Sequence, residues 1–170
     1  MGWGSGLRVK TRTLASGAMI AALYAVLTVA VAPLSYGPVQ FRVAEALTLL
    51  PLYLPEAVPG LFVGCLVANA FGGYGLIDMA AGSCATLLAA VLTRRAPNLW
   101  LGALAPVLVN AIVVGGMLHL VAGAPLGLTA LYVGAGEAGA CFLVGIPLMR
   151  ALMRQGILCG RHGAGIPSGR

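Results

Sequence analysis

Four carboxylates, Glu45, Glu56, Asp78 and Glu137, stand against ten lysines and arginines in this 170-residue chain. Glu45 lies three residues after Arg42 in PVQFRVAEALTLLP (38–51), between long apolar runs. Glu137 sits about eleven residues into the last apolar run, inside GAGEAGA (134–140). A carboxylate at such a depth must pair, neutralise or face a cavity, because hydrocarbon offers it no hydrogen bonds. Where it faces a cavity, it accepts a pair of N–H donors or balances a cation. The glycines and alanines around Glu137 leave space beside it. Two readings stand: a ligand-facing acid, or a buried partner to a helix end or to Arg42. Asn110, midway along PVLVNAIVVGG, is a similar case, since its amide either cross-links helices or reads a ligand. Glu56 follows Pro55, and Asp78 opens an apolar run; a helix N-terminus accounts for a carboxylate at both places.

Other chemistries find less support. Ser83 and His119 are the nominees for an activated serine, but nothing in the sequence brings them together, and one aspartate cannot make an aspartyl dyad. The chain has no GxxxxGK[ST], hence no P-loop for ATP, and Gly72-Gly73-Tyr74-Gly75 lacks the strand–helix setting of a dinucleotide fingerprint. Cys65, Cys84, Cys141 and Cys159 show no CxxC spacing; three lie in apolar segments, where cysteine serves as a small hydrophobe. With only two histidines beside them, neither a metal site nor a cofactor is expected.

The elements that must position these groups are set by composition. Hydrophobic residues make up 60% of the chain and charged residues 8%. A soluble domain carries about 25% charged residues, so this alphabet cannot cover a water-facing surface. The apolar runs are continuous, which favours helices over the alternating strands of a barrel. They fall at about 14–32, 43–54, 57–71, 76–93, 99–122 and 126–149, separated by proline and glycine clusters. The second and third are too short to cross a hydrocarbon core of about 30 Å upright. They are expected as a bent or partly embedded pair, sheltered by the other segments. Ala30-Val31-Ala32 gives the first run an A-x-A ending like that of a signal peptide. Its length of about 19 residues and the Pro33 that follows favour a retained helix.

The net charge of +6 comes mainly from clusters beside the apolar runs and speaks for orientation rather than nucleic-acid binding. Arg8, Lys10 and Arg12 precede the first run, Arg94 and Arg95 follow the fourth, and Arg150, Arg154 and Arg161 follow the sixth. Six crossings put all three clusters in the cytoplasm, with both termini, and leave PVQFRVAEALTLLP outside. The expectation is an all-α integral membrane protein: a basic tail over 1–13, a six-helix membrane domain over 14–154 and a C-terminal tail over 155–170. Within the first helix, Ala15, Ala18, Ala22 and Ala25 form one narrow stripe, broadened by Gly17 and Ala21. Small residues permit close helix approach, either within this chain or to a partner helix. Gly60 and Gly64 repeat the spacing more weakly.

QFRVAEALTLLP, then PEAVPGLFVGCLVANAFGG (55–73), NAIVVG (110–115) and GAGEA (134–138) together resemble the QueT family. The resemblance runs from about residue 14 to 154. These are the substrate-binding S components of energy-coupling factor (ECF) vitamin transporters, assigned to queuosine precursors. The resemblance implies a six-helix S-component fold in the bacterial cytoplasmic membrane. It implies a transmembrane T component and two cytosolic ATPases as partners, with the alanine stripe of Ala15, Ala18, Ala22 and Ala25 docking on the T component. It implies no enzyme activity in this chain, with ATP hydrolysis left to other subunits.

The substrate class it implies is a 7-deazaguanine bearing a 7-cyano or 7-aminomethyl group. A guanine edge presents two parallel N–H donors, which a carboxylate accepts; an aminomethyl cation favours a second acid; a flat base favours an aromatic face. The residues matching these needs are Glu137 for the base edge, Glu45 for a second acceptor or the ammonium, and Asn110 for amide contacts. Phe41, Tyr36 and Tyr132 are the candidate stacking rings. Arg42 steers Glu45 or holds its loop, with a direct contact to a ligand carbonyl as the rival reading. Another vitamin-like ligand on the same fold, and a membrane enzyme or structural bundle, are the competing functions. A structural bundle would tolerate glutamine or alanine at residue 137.

Overall fold

A computed structural model describes residues 5–36, 40–72 and 75–158, with side chains from residue 11 onward. Among the described residues every regular element is helical: α1 (Ser5–Ala30), α2 (Ala32–Ser35), a 3-10 helix (Val43–Leu52), α3 (Ala57–Asn69), α4 (Gly75–Arg95), α5 (Leu99–Ala122) and α6 (Leu126–Ala138). A π-helical stretch (Gly139–Gly145) then joins α6 to α7 (Ile146–Arg154), so the last helical rod is continuous. Four stretches are long and apolar enough to cross a membrane: Thr11–Ala30, Gly75–Arg95, Leu99–Ala122 and Leu126–Arg154. The 3-10 helix and α3 are shorter. At about 2.0 and 1.5 Å per residue each reaches roughly 20 Å.

Helix ends follow local chemistry. Asn98 caps α5 by accepting from the Leu101 amide at 2.9 Å, and Gly123, at φ 67°, ends it in the left-handed conformation that glycine adopts most readily. Pro106 lies inside α5 and cannot donate to the Gly102 carbonyl one turn earlier. Thr93 of α4 supplies the missing donor at 3.0 Å, so the polar atom exposed by the proline is satisfied from a neighbouring helix. Residues 5–13, a tail by composition, extend α1 as helix. Cys159 and residues 159–170, including Arg161, lie outside the described residues, as do Gly73 and Tyr74.

Close helix pairs are built on glycine. A Cβ on Gly60 would fall 2.6 Å from the Gly17 carbonyl oxygen, and one on Gly64 would fall 2.7 Å from that of Ala21. Backbones of α1 and α3 therefore touch along a Gly-xxx-Gly seam, where dispersion replaces the hydrophobic effect that lipid cannot provide. Gly115 of α5 meets the Ala130 backbone of α6 in the same way. The 3-10 helix runs through the middle of the bundle, with Ala44 to Leu52 all buried. It lies against the π-helical stretch, where a Cβ on Gly145 would meet Leu49 at 2.9 Å and the Ala46 backbone at 3.2 Å.

The up-and-down order sorts the charges by end. Arg94 and Arg95 line a groove with Leu52 and Val58. Arg150 lies over the Trp100 ring at 5.7 Å from its centroid, and Glu56 packs on Gly17, midway along α1. These basic groups share one end of the bundle, whereas Arg42 belongs to the other.

Candidate functional site

The groups of the central polar cluster come from several elements. Glu45 lies in the first turn of the 3-10 helix and is fully buried. Its backbone carbonyl is held by the Thr48 hydroxyl at 2.6 Å and approached by the Cys141 thiol at 3.6 Å. Its side-chain Oε1 accepts a hydrogen bond from the hydroxyl of Tyr24, on α1. Glu137, on α6, is 3% exposed, and its Oε1 accepts from the Asn110 amide of α5 at 2.9 Å. Each carboxylate thus has one oxygen bonded by a donor from a neighbouring helix. The other, Oε2, is buried without a partner in both residues. The two acids lie within electrostatic range of each other and of Arg42.

Arg42 is 3% exposed, yet it does not bond Glu45. Its Nε donates to the Ser35 carbonyl at 3.5 Å, and its guanidinium stands over the Tyr36 ring at 5.6 Å. Nη2 has no partner. Gln40, two residues earlier, is held at φ 47° and accepts from the Arg42 amide at 2.9 Å. A non-glycine residue in that region is strained by about 1–2 kcal/mol. The turn aims Arg42 back into the bundle. The sequence suggested Arg42 as the orienting partner of Glu45 because the two are neighbours in the chain. In the structure the hydrogen bond to the Glu45 side chain comes from the Tyr24 hydroxyl on α1, while Arg42 turns to the Ser35–Tyr36 segment.

Among the candidate rings, Phe41 packs on the π-helical stretch, where a Cβ on Gly139 would approach its ring to 2.7 Å. Tyr36 is half-buried and anchors its hydroxyl on the Ala68 carbonyl at 2.6 Å, which leaves its face to Arg42. Tyr132 is 41% exposed on α6. Five residues separate it from Glu137, which turns it roughly 140° away around the helix, so the structure does not bring it to the cluster. Asp78 lies in the first turn of α4, buried and within electrostatic range of Arg42. Glu56 is the N-cap residue of α3 and makes no side-chain cap bond. Ser83 is buried, while His119 is exposed and bonded to the Ala124 carbonyl, so the two form no catalytic pair. Among the described residues no group of three or more potential metal ligands occurs.

Sequence reasoning passed over Tyr24 and Asn69. Asn69 is fully buried, donates to the Asp78 carbonyl at 3.1 Å and to Cys65 Sγ at 3.4 Å, and leaves Oδ1 without a partner. Both residues are polar groups inside apolar segments, which is a usable signal in a chain this short of polar side chains.

A buried set of two carboxylates and a guanidinium, each with an unpartnered atom, can accept at two oxygens and donate from one nitrogen to a small polar molecule. The four long apolar helical stretches define a multi-pass helical membrane protein. The chain matches the QueT transporter family over residues 14–154, and it belongs to that family. Over 62 residues it is 36% identical to the Queuosine precursor transporter QueT of Lactococcus lactis subsp. cremoris (strain MG1363). That alignment takes in 35% of this chain and 37% of the relative's length. No solved structure matches.

Proposed function

We propose that this chain is the substrate-capture (S) component of an ECF-type importer, and that it takes up a 7-deazaguanine precursor of queuosine. The single observation that carries this is the set of three unpartnered atoms, Glu45 Oε2, Glu137 Oε2 and Arg42 Nη2, buried within electrostatic range of one another. A buried polar group without a partner costs about 1–3 kcal/mol, more when charged. A ligand that fills all three recovers that cost. A 7-deazaguanine fits the set: a base-edge N–H donates to the open oxygen of one acid, a second donor of the base or its aminomethyl substituent meets the open oxygen of the other, and its carbonyl accepts from Arg42. Asn110 acts through Glu137, and Phe41 and Tyr36 form the aromatic side of the site.

The finer architecture belongs to the same proposal. Six segments cross or enter the bilayer of a bacterial cytoplasmic membrane, and the end bearing Arg12, Arg94, Arg95, Arg150 and Arg154 faces the cytoplasm with both termini. Residues 14–154 are the membrane domain. Capture then takes place at the end that holds Arg42. A T component docks on α1. Ala15, Ala18 and Ala22 are exposed and Ala25 half-buried, while Gly17, Ala21 and Tyr24 face α3, so the alanine stripe is free for a partner helix. Two cytosolic ATPases supply the energy, and this chain catalyses no reaction.

Direct binding of 7-aminomethyl- and 7-cyano-7-deazaguanine to the purified chain tests the proposal. Saturable binding of at least one supports it. Binding of neither, with another vitamin bound tightly, overturns the substrate assignment.

A further inference from the structure

The geometry points to Tyr24 as a positioning residue for ligand recognition: its hydroxyl fixes the carboxylate of Glu45 so that Oε2 alone faces the ligand. This rests on the ligand site proposed above and adds a residue on α1 to it.

Three observations carry the inference. First, Tyr24 is fully buried, and its hydroxyl donates to Glu45 Oε1 across 21 residues of sequence. A carboxylate rotates freely about its last side-chain bond, and a donor fixed on one oxygen selects the plane in which the other lies. Second, both partners are pinned. The ring of Tyr24 is held at its root, because Tyr24 Cβ lies 2.9 Å from where a Cβ on Gly64 would be, and the Thr28 hydroxyl bonds its carbonyl at 2.9 Å. Glu45 is pinned at its backbone by Thr48 at 2.6 Å. Third, the arrangement is repeated at the other acid, where Asn110 takes Glu137 Oε1 and again leaves Oε2 unpartnered. A bond made only for stability would be completed by a second donor on the remaining oxygen, since a buried acceptor left open is costly. Both acids instead have one oxygen held by the protein and one open.

The consequence is split recognition. The ligand offers separate donors to two acids on two different elements, rather than two parallel donors to a single carboxylate.

Tyr24→Phe tests this in the full-length chain. It keeps the root of the side chain against Gly64 and removes only the hydroxyl. Calorimetric titration with 7-aminomethyl- and 7-cyano-7-deazaguanine should show about a tenfold weaker Kd for Tyr24→Phe with whichever of the two the wild-type chain binds. In a Glu45→Gln background, adding Tyr24→Phe should change Kd by less than about twofold, because the oriented carboxylate is already gone. The thermal midpoint of the unliganded chain separates a structural role from a positioning one. A lowered midpoint with Kd within twofold of wild type makes the bond merely structural and overturns the inference. An equal loss of affinity with Glu45 intact and with Glu45 replaced also overturns it, since Tyr24 would then act elsewhere. A wild-type chain that binds neither deazaguanine overturns the ligand assignment itself, and the role of Tyr24 with it.

Discussion

Asn110 and Glu137 are joined by a 2.9 Å hydrogen bond between α5 and α6, and the bond stops at one carboxylate oxygen. Asn110 Nδ2 is the donor, so its amide is oriented with nitrogen toward the acid. The bond cross-links α5 and α6, one of the two readings the sequence leaves open for Asn110, and it leaves Glu137 Oε2 open for the ligand proposed above. The first prediction follows from it. Glu137→Gln keeps the shape and removes the charge that strengthens the remaining bond. Binding of the deazaguanine should weaken on the order of 10- to 100-fold, the effect of losing a charged hydrogen-bond partner. Wild-type affinity in Glu137→Gln, measured by titration calorimetry, would take Glu137 out of the site.

Arg42→Lys retains the positive charge and loses the planar fork. A lysine ammonium cannot reach the Ser35 carbonyl through one nitrogen while presenting a second to the ligand. Affinity should fall about tenfold, with the thermal midpoint nearly unchanged. A midpoint collapse with affinity intact in the folded fraction would make Arg42 a structural residue of the 40–43 turn.

Gly60→Ala separates packing from recognition. The added methyl would lie 2.6 Å from the Gly17 carbonyl oxygen, backbone that has no room to yield. Overpacking of this kind costs about 1–3 kcal/mol. The thermal midpoint should drop by several degrees, while the Kd of protein that remains folded stays at the wild-type value, because Gly60 lies near the far end of α3 from the cluster. Unchanged stability would mean that α1 and α3 are not in backbone contact.

Ala22→Trp addresses the outer face of α1. Residue 22 is exposed, so the bulky ring should leave folding and ligand affinity intact. It should abolish co-purification with a T component and the ATPases. Assembly that survives the substitution would move the docking surface elsewhere.

These residues also show how far the sequence could be read. The long apolar runs at 76–93, 99–122 and 126–149 lie within the helical stretches Gly75–Arg95, Leu99–Ala122 and Leu126–Arg154, because an apolar segment in lipid must bond its own backbone. The shortness of 43–54 and 57–71 was equally legible. The 3-10 and π-helical forms of Val43–Leu52 and Gly139–Gly145 were not. The two stretches press together at Gly145, against Ala46 and Leu49, with Pro51 and Pro147 denying regular bonds nearby, and that contact spans nearly a hundred residues. The acids stood out by rarity. Their partners did not: Glu45 is bonded by Tyr24 from another helix and not by Arg42, its neighbour in sequence. Tyr132 has the ring a flat ligand favours, but helical phase turns it outward. The alanine stripe divides similarly, since Gly17 and Ala21 meet α3 while Ala15, Ala18 and Ala22 face away.

The most direct measurement is calorimetric titration of the purified full-length chain with 7-aminomethyl- and 7-cyano-7-deazaguanine, with guanine as the control lacking both substituents. The account predicts one saturable site per chain for at least one of the two precursors, abolished or strongly weakened in the Glu45→Gln/Glu137→Gln double variant. Absence of binding to both by folded wild-type protein, or binding that the double variant leaves unchanged, would contradict it.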